Sequence, residues 1–233
     1  MSFSVENIGK GVWVLTLNNG DNRFNPESMT LLNSLLDEVE QDRKGRVLVT
    51  TGTGKFFSNG LDQTYMMECG DPAAVERMLG QFESLLARML SFPLYTIAAI
   101  NGHAFAGGAM FSCAHDFRVM RTGRGYFCMN EIDLGMVTSA GMTGVIKTRI
   151  SDPGVLRDVM LVGKRYSAEQ ALSARIIDAM YPEEEVLSAA IELGHKLAAK
   201  NATHRAVHGM KLALYSDVYT HLVNRAKLSK AAL

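Results

Sequence analysis

The chain has 233 residues, 47% of them hydrophobic and 21% charged, which suits one well-filled domain and excludes a disordered polyelectrolyte. Its 24 basic and 24 acidic residues cancel, and it contains no basic run of five or more, which excludes phosphate-driven nucleic-acid binding as the main activity. No stretch approaches the ~20 apolar residues of a membrane span, and no basic-then-apolar secretory leader is expected at the N-terminus.

Val12–Leu17 is a β-branched and apolar run that predicts a strand. Asn25-Pro26-Glu27 then supplies an N-cap and a proline at the first helical position. Leu31, Leu32, Leu35, Leu36 and Val39 recur at helical spacing, so an amphipathic helix is expected over about 26–42. Arg46–Thr51 predicts a short buried strand, closed by Gly52 and Gly54. Strand, helix and strand in that order point to an α/β fold with crossover connections. Asp71-Pro72 opens a further helix running to about Ser91, Pro93 ends it, and Tyr95–Ile100 is the next strand. Asn101–Gly108 leads from that strand into an apolar helix ending near Ala114, and strands are expected over 116–121 and 125–129. From about Thr138 the pattern is mainly helical, with a capping box at Ser167–Gln170 and helices over about 183–200 and 203–217.

Two turns share one chemical logic. Lys55–Asp62 follows a strand and contains Gly60, and Phe105–Ala109 follows another and contains Gly107 and Gly108. A strand-to-helix junction leaves first-turn N–H groups unpaired, and the helix dipole adds positive charge there. Such groups can hold a developing oxyanion, although either turn alone is a weak signal that reads more readily as a packing or turn feature. Neither fits a dinucleotide-binding or P-loop pattern.

Taken together, the segments Phe57-Ser58-Asn59-Gly60-Leu61-Asp62, Ala98–Gly108, Asp116-Phe117-Arg118-Val119, Phe127–Gly135 and Gly163–Ala171 resemble the crotonase (enoyl-CoA hydratase/isomerase) superfamily over roughly residues 3–215. The resemblance implies a crotonase (ClpP-like) spiral of ββα units over residues 1–195, followed by a short C-terminal helical region over 196–233. It implies an acyl-CoA substrate and an oxyanion hole built from the N–H groups of Leu61 and Gly107. It places CoA against the backbone of Ser58, Asn59, Gly60 and Leu61, with Asp62 supporting the turn. Ala106 stands at the first position of the glycine triplet, a departure expected to alter the turn little.

Family hydratases carry two glutamates. Here the first position is Met110, which cannot move a proton, and the second is Glu131. One carboxylate against an apolar wall suffices for a proton shuttle, and partial burial between Met129 and Ile132 would raise its pKa. The arrangement resembles Δ3-Δ2-enoyl-CoA isomerases: Glu131 would take a proton from C2 and return it at C4, with no metal or redox cofactor. The alternatives are a hydratase, a decarboxylase, a carbon–carbon bond-forming synthase, a thioester hydrolase, or a non-catalytic acyl-CoA-binding module.

Other residues read more plainly. Cys69, Cys113 and Cys128 form neither a CxxC pair nor a metal spacing, and Cys113 and Cys128 are expected as buried thiols. His204 and His208 share a helix face without the glutamate of a metal motif, His115 reads as a helix-end feature, and Asp133 as a loop support. Ser139 lacks the nucleophile-elbow pattern and reads as a helix start. Met66, Met67, Met110, Met129, Met136 and Met142 cluster around the expected site as core filler or as a flexible acyl lining. The family buries apolar surface between subunits, so a homotrimer or hexamer is expected. A cytoplasmic location is expected, with the peroxisome as alternative, although the Ser229–Leu233 ending is not of the Ser-Lys-Leu type.

Overall fold

The computed structural model describes residues 2–231, with side chains described through residue 225. The chain's last two residues, part of the ending considered for targeting, lie outside the described residues. In chain order the elements are β1 (Ser4–Asn7), β2 (Val12–Leu17), α1 (Pro26–Gln41), β3 (Val47–Gly52), β4 (Phe56–Ser58), α2 (Gln63–Glu68) and α3 (Pro72–Leu90). They continue with β5 (Tyr95–Ile100), β6 (His103–Phe105), α4 (Gly107–Cys113), β7 (Phe117–Arg121), β8 (Phe127–Cys128) and a 3₁₀ turn at Ile132–Leu134. The helical half holds α5 (Ala140–Lys147), α6 (Pro153–Met160), α7 (Ala168–Ser173), α8 (Glu183–Ala198), α9 (His204–Leu214) and α10 (Ser216–Ala231), with β9 (Ala179–Tyr181) between α7 and α8.

The strands form two sheets. The larger runs β1-β2-β3-β5-β7-β9, parallel except for β1 on β2, and the smaller is β4-β6-β8, all parallel. The pairs β3/β4, β5/β6 and β7/β8 each give one strand to each sheet, and a helical segment carries the chain onward to the next pair. This repeated ββα step makes a staircase, so equivalent turns of successive steps come to lie side by side.

Both faces of the large sheet are covered, which explains its near-continuous apolar strands. Val12, Val14, Val47, Val49, Ile97 and Val119 pack toward Val186, Ala190 and Leu197 of α8. Leu15, Leu17, Leu48, Ala98 and Ile100 belong to the main core with Leu32 and Leu36 of α1 and Phe82, Leu85 and Leu86 of α3. Asn25 caps α1 as expected, its Oδ1 accepting from Ser28 N–H at 2.9 Å. Lys211 ties the C-terminal helices to the core, meeting Asp116 at 2.6 Å and donating to the Leu94 carbonyl at 2.7 Å.

The single helix expected over 203–217 is in fact two. α9 stops at Leu214 with Tyr215 as its cap, and α10 continues over α3 and α5. The expected strand over 125–129 contracts to Phe127–Cys128, which pair with Ala104 and Phe105 of β6, while Phe127 also bridges Tyr166 on its other side. β1, α2 and β9 had no sequence signal, and β4 and β6 lay within segments read as turns. Among the described residues no helix is long and apolar enough to cross a membrane.

Candidate active site

The first turn leaves β4 and is pinned from several sides. The Ser58 side chain is fully buried, its hydroxyl donating to the Asn22 carbonyl at 2.7 Å and accepting from Gly60 N–H at 3.1 Å. Phe24 clamps the peptides on both sides of Leu61: its N–H donates to the Gly60 carbonyl at 2.8 Å, and its carbonyl accepts from Asp62 N–H at 2.9 Å. Asp62 caps α2 by accepting from Tyr65 N–H, and its other oxygen accepts from Asn25 Nδ2 at 3.1 Å. Among the described residues these bonds occupy the groups around Leu61 and leave its own N–H unused.

The second turn leaves β6. Ala106 donates its N–H to the Cys128 carbonyl at 2.9 Å, and Gly107 then starts α4, where its N–H has no helical acceptor. A methyl group on Gly107 would come 3.3 Å from Leu61 N, so the two turns abut. A methyl on Gly108 would sit 2.1 Å from the Ser58 carbonyl oxygen, so only glycine lets α4 dock on the end of β4.

Ala106 adopts φ 51°, ψ −122°. The turn is formed, but a glycine takes this conformation freely whereas an L side chain is strained in it. The bond to Cys128 and the docking of α4 hold the strained peptide and aim Gly107 N–H outward. Ala106→Gly is expected to raise stability by about 1 kcal/mol, read as a shift in the denaturant midpoint at constant slope.

Between the turns lies a narrow cavity of about 90 Å³. Its lining includes Asn59, Leu61, Ala106, Gly107, Met110 and Glu131. Glu131 precedes the 3₁₀ turn and is fixed through its backbone, its carbonyl accepting from Leu134 and Met136 N–H. Its Oε2 is buried and, among the described residues, has no hydrogen-bond partner. Burial pushes its pKa up from 4.5 to about 7, against a small opposing pull from its own backbone. A carboxyl poised near neutrality beside two convergent N–H groups can pass a proton while the N–H groups hold an oxyanion.

Of the methionines expected nearby, Met66, Met110, Met136 and Met142 line the cavity, Met129 is buried away from it, and Met67 is 77% exposed. Asp133 lies outside the lining on the exposed face of its turn. His115 is buried between the Phe111 carbonyl and the Thr50 hydroxyl, where desolvation pushes its pKa down to about 3, so it is a neutral structural residue. His204 and His208 bind separate backbone carbonyls, those of Gly45 and Ser91. Cys113 and Cys128 are buried free thiols, and Cys69 is half-buried. Ser139 is the N-cap of α5, accepting from Met142 N–H at 3.1 Å, and it also reaches the cavity.

Glu83, in the middle of α3, is a cavity residue that sequence reasoning missed. It is fully buried, and the only available signal was a glutamate on the apolar face between Phe82 and Leu86.

The profile of the family described as enoyl-CoA hydratase/isomerase matches residues 7–230. The chain is 35% identical over 215 residues to an Arabidopsis thaliana protein named enoyl-CoA delta isomerase 2, peroxisomal, covering 89% of this chain and 90% of that one. It is 32% identical over 202 residues to a putative enoyl-CoA hydratase of Thermus thermophilus, covering 84% and 78%. The crystal structure of human mitochondrial delta3-delta2-enoyl-CoA isomerase superposes with a TM-score of 0.87 at 26% identity, over 98% of this chain and 89% of that one. The staircase of ββα steps is therefore the crotonase fold, and the chain belongs to the enoyl-CoA hydratase/isomerase family of acyl-CoA enzymes.

Proposed function

We propose that the protein is a Δ3-Δ2-enoyl-CoA isomerase. The observation that carries this reading is Glu131, a buried carboxyl with an unpartnered oxygen, sharing one cavity with the N–H groups of Leu61 and Gly107. Met110 occupies the α4 wall, where family hydratases place the carboxylate that helps to activate water. The isomerase names of the Arabidopsis relatives and the human structure support the same choice.

In the proposed step the thioester carbonyl sits between the two N–H groups. Glu131 removes a proton from C2 of a 3-enoyl-CoA, and the electron pair delocalises onto the thioester oxygen. The resulting dienolate takes the proton back from Glu131 at C4, and the double bond moves to C2–C3. The proton that leaves is the one that returns, so the step needs no redox cofactor and no net proton from water. The N–H groups gain strength as the oxygen becomes anionic, which lowers the barrier rather than only tightening binding.

The test is conversion of 3-hexenoyl-CoA, followed by the absorbance of the conjugated product. Activity is expected, with kcat/KM rising as pH passes through about 7 and then levelling, because only ionised Glu131 accepts the C2 proton. Hydration of a 2-enoyl-CoA without isomerisation would overturn the reading.

We also propose that the chain works as a homotrimer or a pair of trimers. Met210 and Leu214 on α9 are 72% and 71% exposed, large apolar side chains of the kind a subunit interface covers. Light scattering at micromolar concentration is expected to give a mass at least three times the 25.5 kDa of one chain, and a monomeric mass counts against it.

A further inference from the structure

The isomerisation uses one carboxylate, yet the cavity holds two. Glu83 is 0% exposed, it lines the cavity, and among the described residues neither Oε1 nor Oε2 meets a donor within hydrogen-bond geometry. The Arg225 guanidinium approaches Oε1 only to 3.9 Å through Nε, while its Nη2 bonds Glu76 at 3.1 Å. That separation is too long for a hydrogen bond. The apolar residues Leu79, Met110 and Met142 line the same cavity. Burial pushes the Glu83 carboxyl above the usual range, with the Ser139 hydroxyl and the Arg225 guanidinium beside it pulling the other way.

A buried acceptor without a donor costs about 1–3 kcal/mol, more if charged. A leucine on this face of α3 would carry no such penalty. The cost therefore points to a donor that the bound molecule supplies. Glu83 and Ser139 also sit on a different wall from the reacting groups. They come from α3 and α5, beneath α10, whereas the oxyanion donors and Glu131 come from the turns after β4, β6 and β8. An acyl chain that starts at the thioester and fills the cavity therefore meets the Glu83 wall as well as the reacting groups.

We propose that Glu83, with Ser139 beside it, is a specificity site for the far part of the acyl group, selecting an acyl-CoA that carries a hydroxyl beyond the reacting carbons. The hydroxyl donates to a Glu83 oxygen and can accept from Ser139, whose own oxygen already accepts from Met142 N–H. A plain alkyl chain offers the Glu83 oxygens no donor and is discriminated against for that reason. The proposal rests on the acyl-CoA reading but not on which reaction follows.

Saturated acyl-CoAs, which cannot isomerise, separate the two questions. Calorimetric titration compares butanoyl- to octanoyl-CoA with their terminally hydroxylated counterparts. At one chain length the wild-type protein is expected to bind the hydroxylated form at least about tenfold tighter. Glu83→Leu is expected to reverse that order, and Glu83→Gln to keep most of it through its amide oxygen. Equal binding of the pair at every length overturns the proposal and leaves the family reading intact, since a trapped water then satisfies Glu83. A preference that survives in Glu83→Leu also overturns it. Failure of both series to bind sinks the acyl-CoA reading as well. Were Glu83→Leu not to fold, the wild-type series and Glu83→Gln still decide the question.

Discussion

Replacing Glu131 with glutamine is expected to lower kcat for 3-enoyl-CoA isomerisation by about a thousandfold, within the range that a positioned acid–base group contributes. Glutamine keeps the size and polarity of the side chain but cannot accept the C2 proton, so acyl-CoA binding should change little. The same substitution is expected to raise stability at alkaline pH. Glu131 has a folded pKa of about 7 against an ordinary 4.5, so the native protein holds this proton more tightly than the unfolded chain. Its contribution to stability is therefore fully present below pH 4.5 and is lost as pH rises through about 7. At pH 8 the ionised carboxylate is buried at a cost that glutamine removes, and a gain of about 1–3 kcal/mol is expected there. Near pH 4.5 the gain should largely vanish. Denaturant unfolding at both pH values, beside steady-state kinetics, reads both effects. Unchanged kcat removes Glu131 from the mechanism, and a gain that is the same at both pH values removes desolvation as the cause of its raised pKa.

The parts legible in the sequence were those whose periodicity or capping is local. β2, α1, β3, α3 and β5 announce themselves through apolar runs, the Asn25 and Asp71 caps, and the prolines at the starts of α1 and α3. The two turns were legible because Gly60, Gly107 and Gly108 mark where the backbone must approach itself, and resemblance then gave them a role. The strands β4 and β6 were not, because three residues each carry no period and their pairing is purely tertiary, whereas β8 was expected with bounds too wide. Glu83 escaped for a different reason. Periodicity shows that α3 has an apolar face with Met78, Phe82, Leu86 and Met89, but not that part of this face borders a cavity. Ala106 was read as a mild departure because side-chain size is visible in a sequence, whereas a positive φ without glycine is not.

Gly60→Ala tests the proposed oxyanion hole without touching a proton-transfer group. Gly60 has φ +77°, and an added methyl would stand 2.8 Å from Gly107 N and 2.9 Å from the Phe105 carbonyl oxygen. Backbone surrounds it on that side, so the clash cannot be relieved by turning a flexible side chain. The turn must shift, and it carries the next residue, Leu61, with it. Both proposed donors would then be misplaced relative to the developing anion, and kcat is expected to fall by about 10²–10³-fold. KM should move much less, because these contacts strengthen in the transition state and contribute little to ground-state binding. Gly54→Ala is the control. Gly54 has φ +72°, nearly the same backbone strain, yet a methyl there meets nothing within 4 Å. Each variant should lose about 1 kcal/mol of stability from the strained φ alone. A loss of kcat confined to Gly60→Ala assigns the effect to the space between the turns, and an equal loss in Gly54→Ala would assign it to general loosening of the fold.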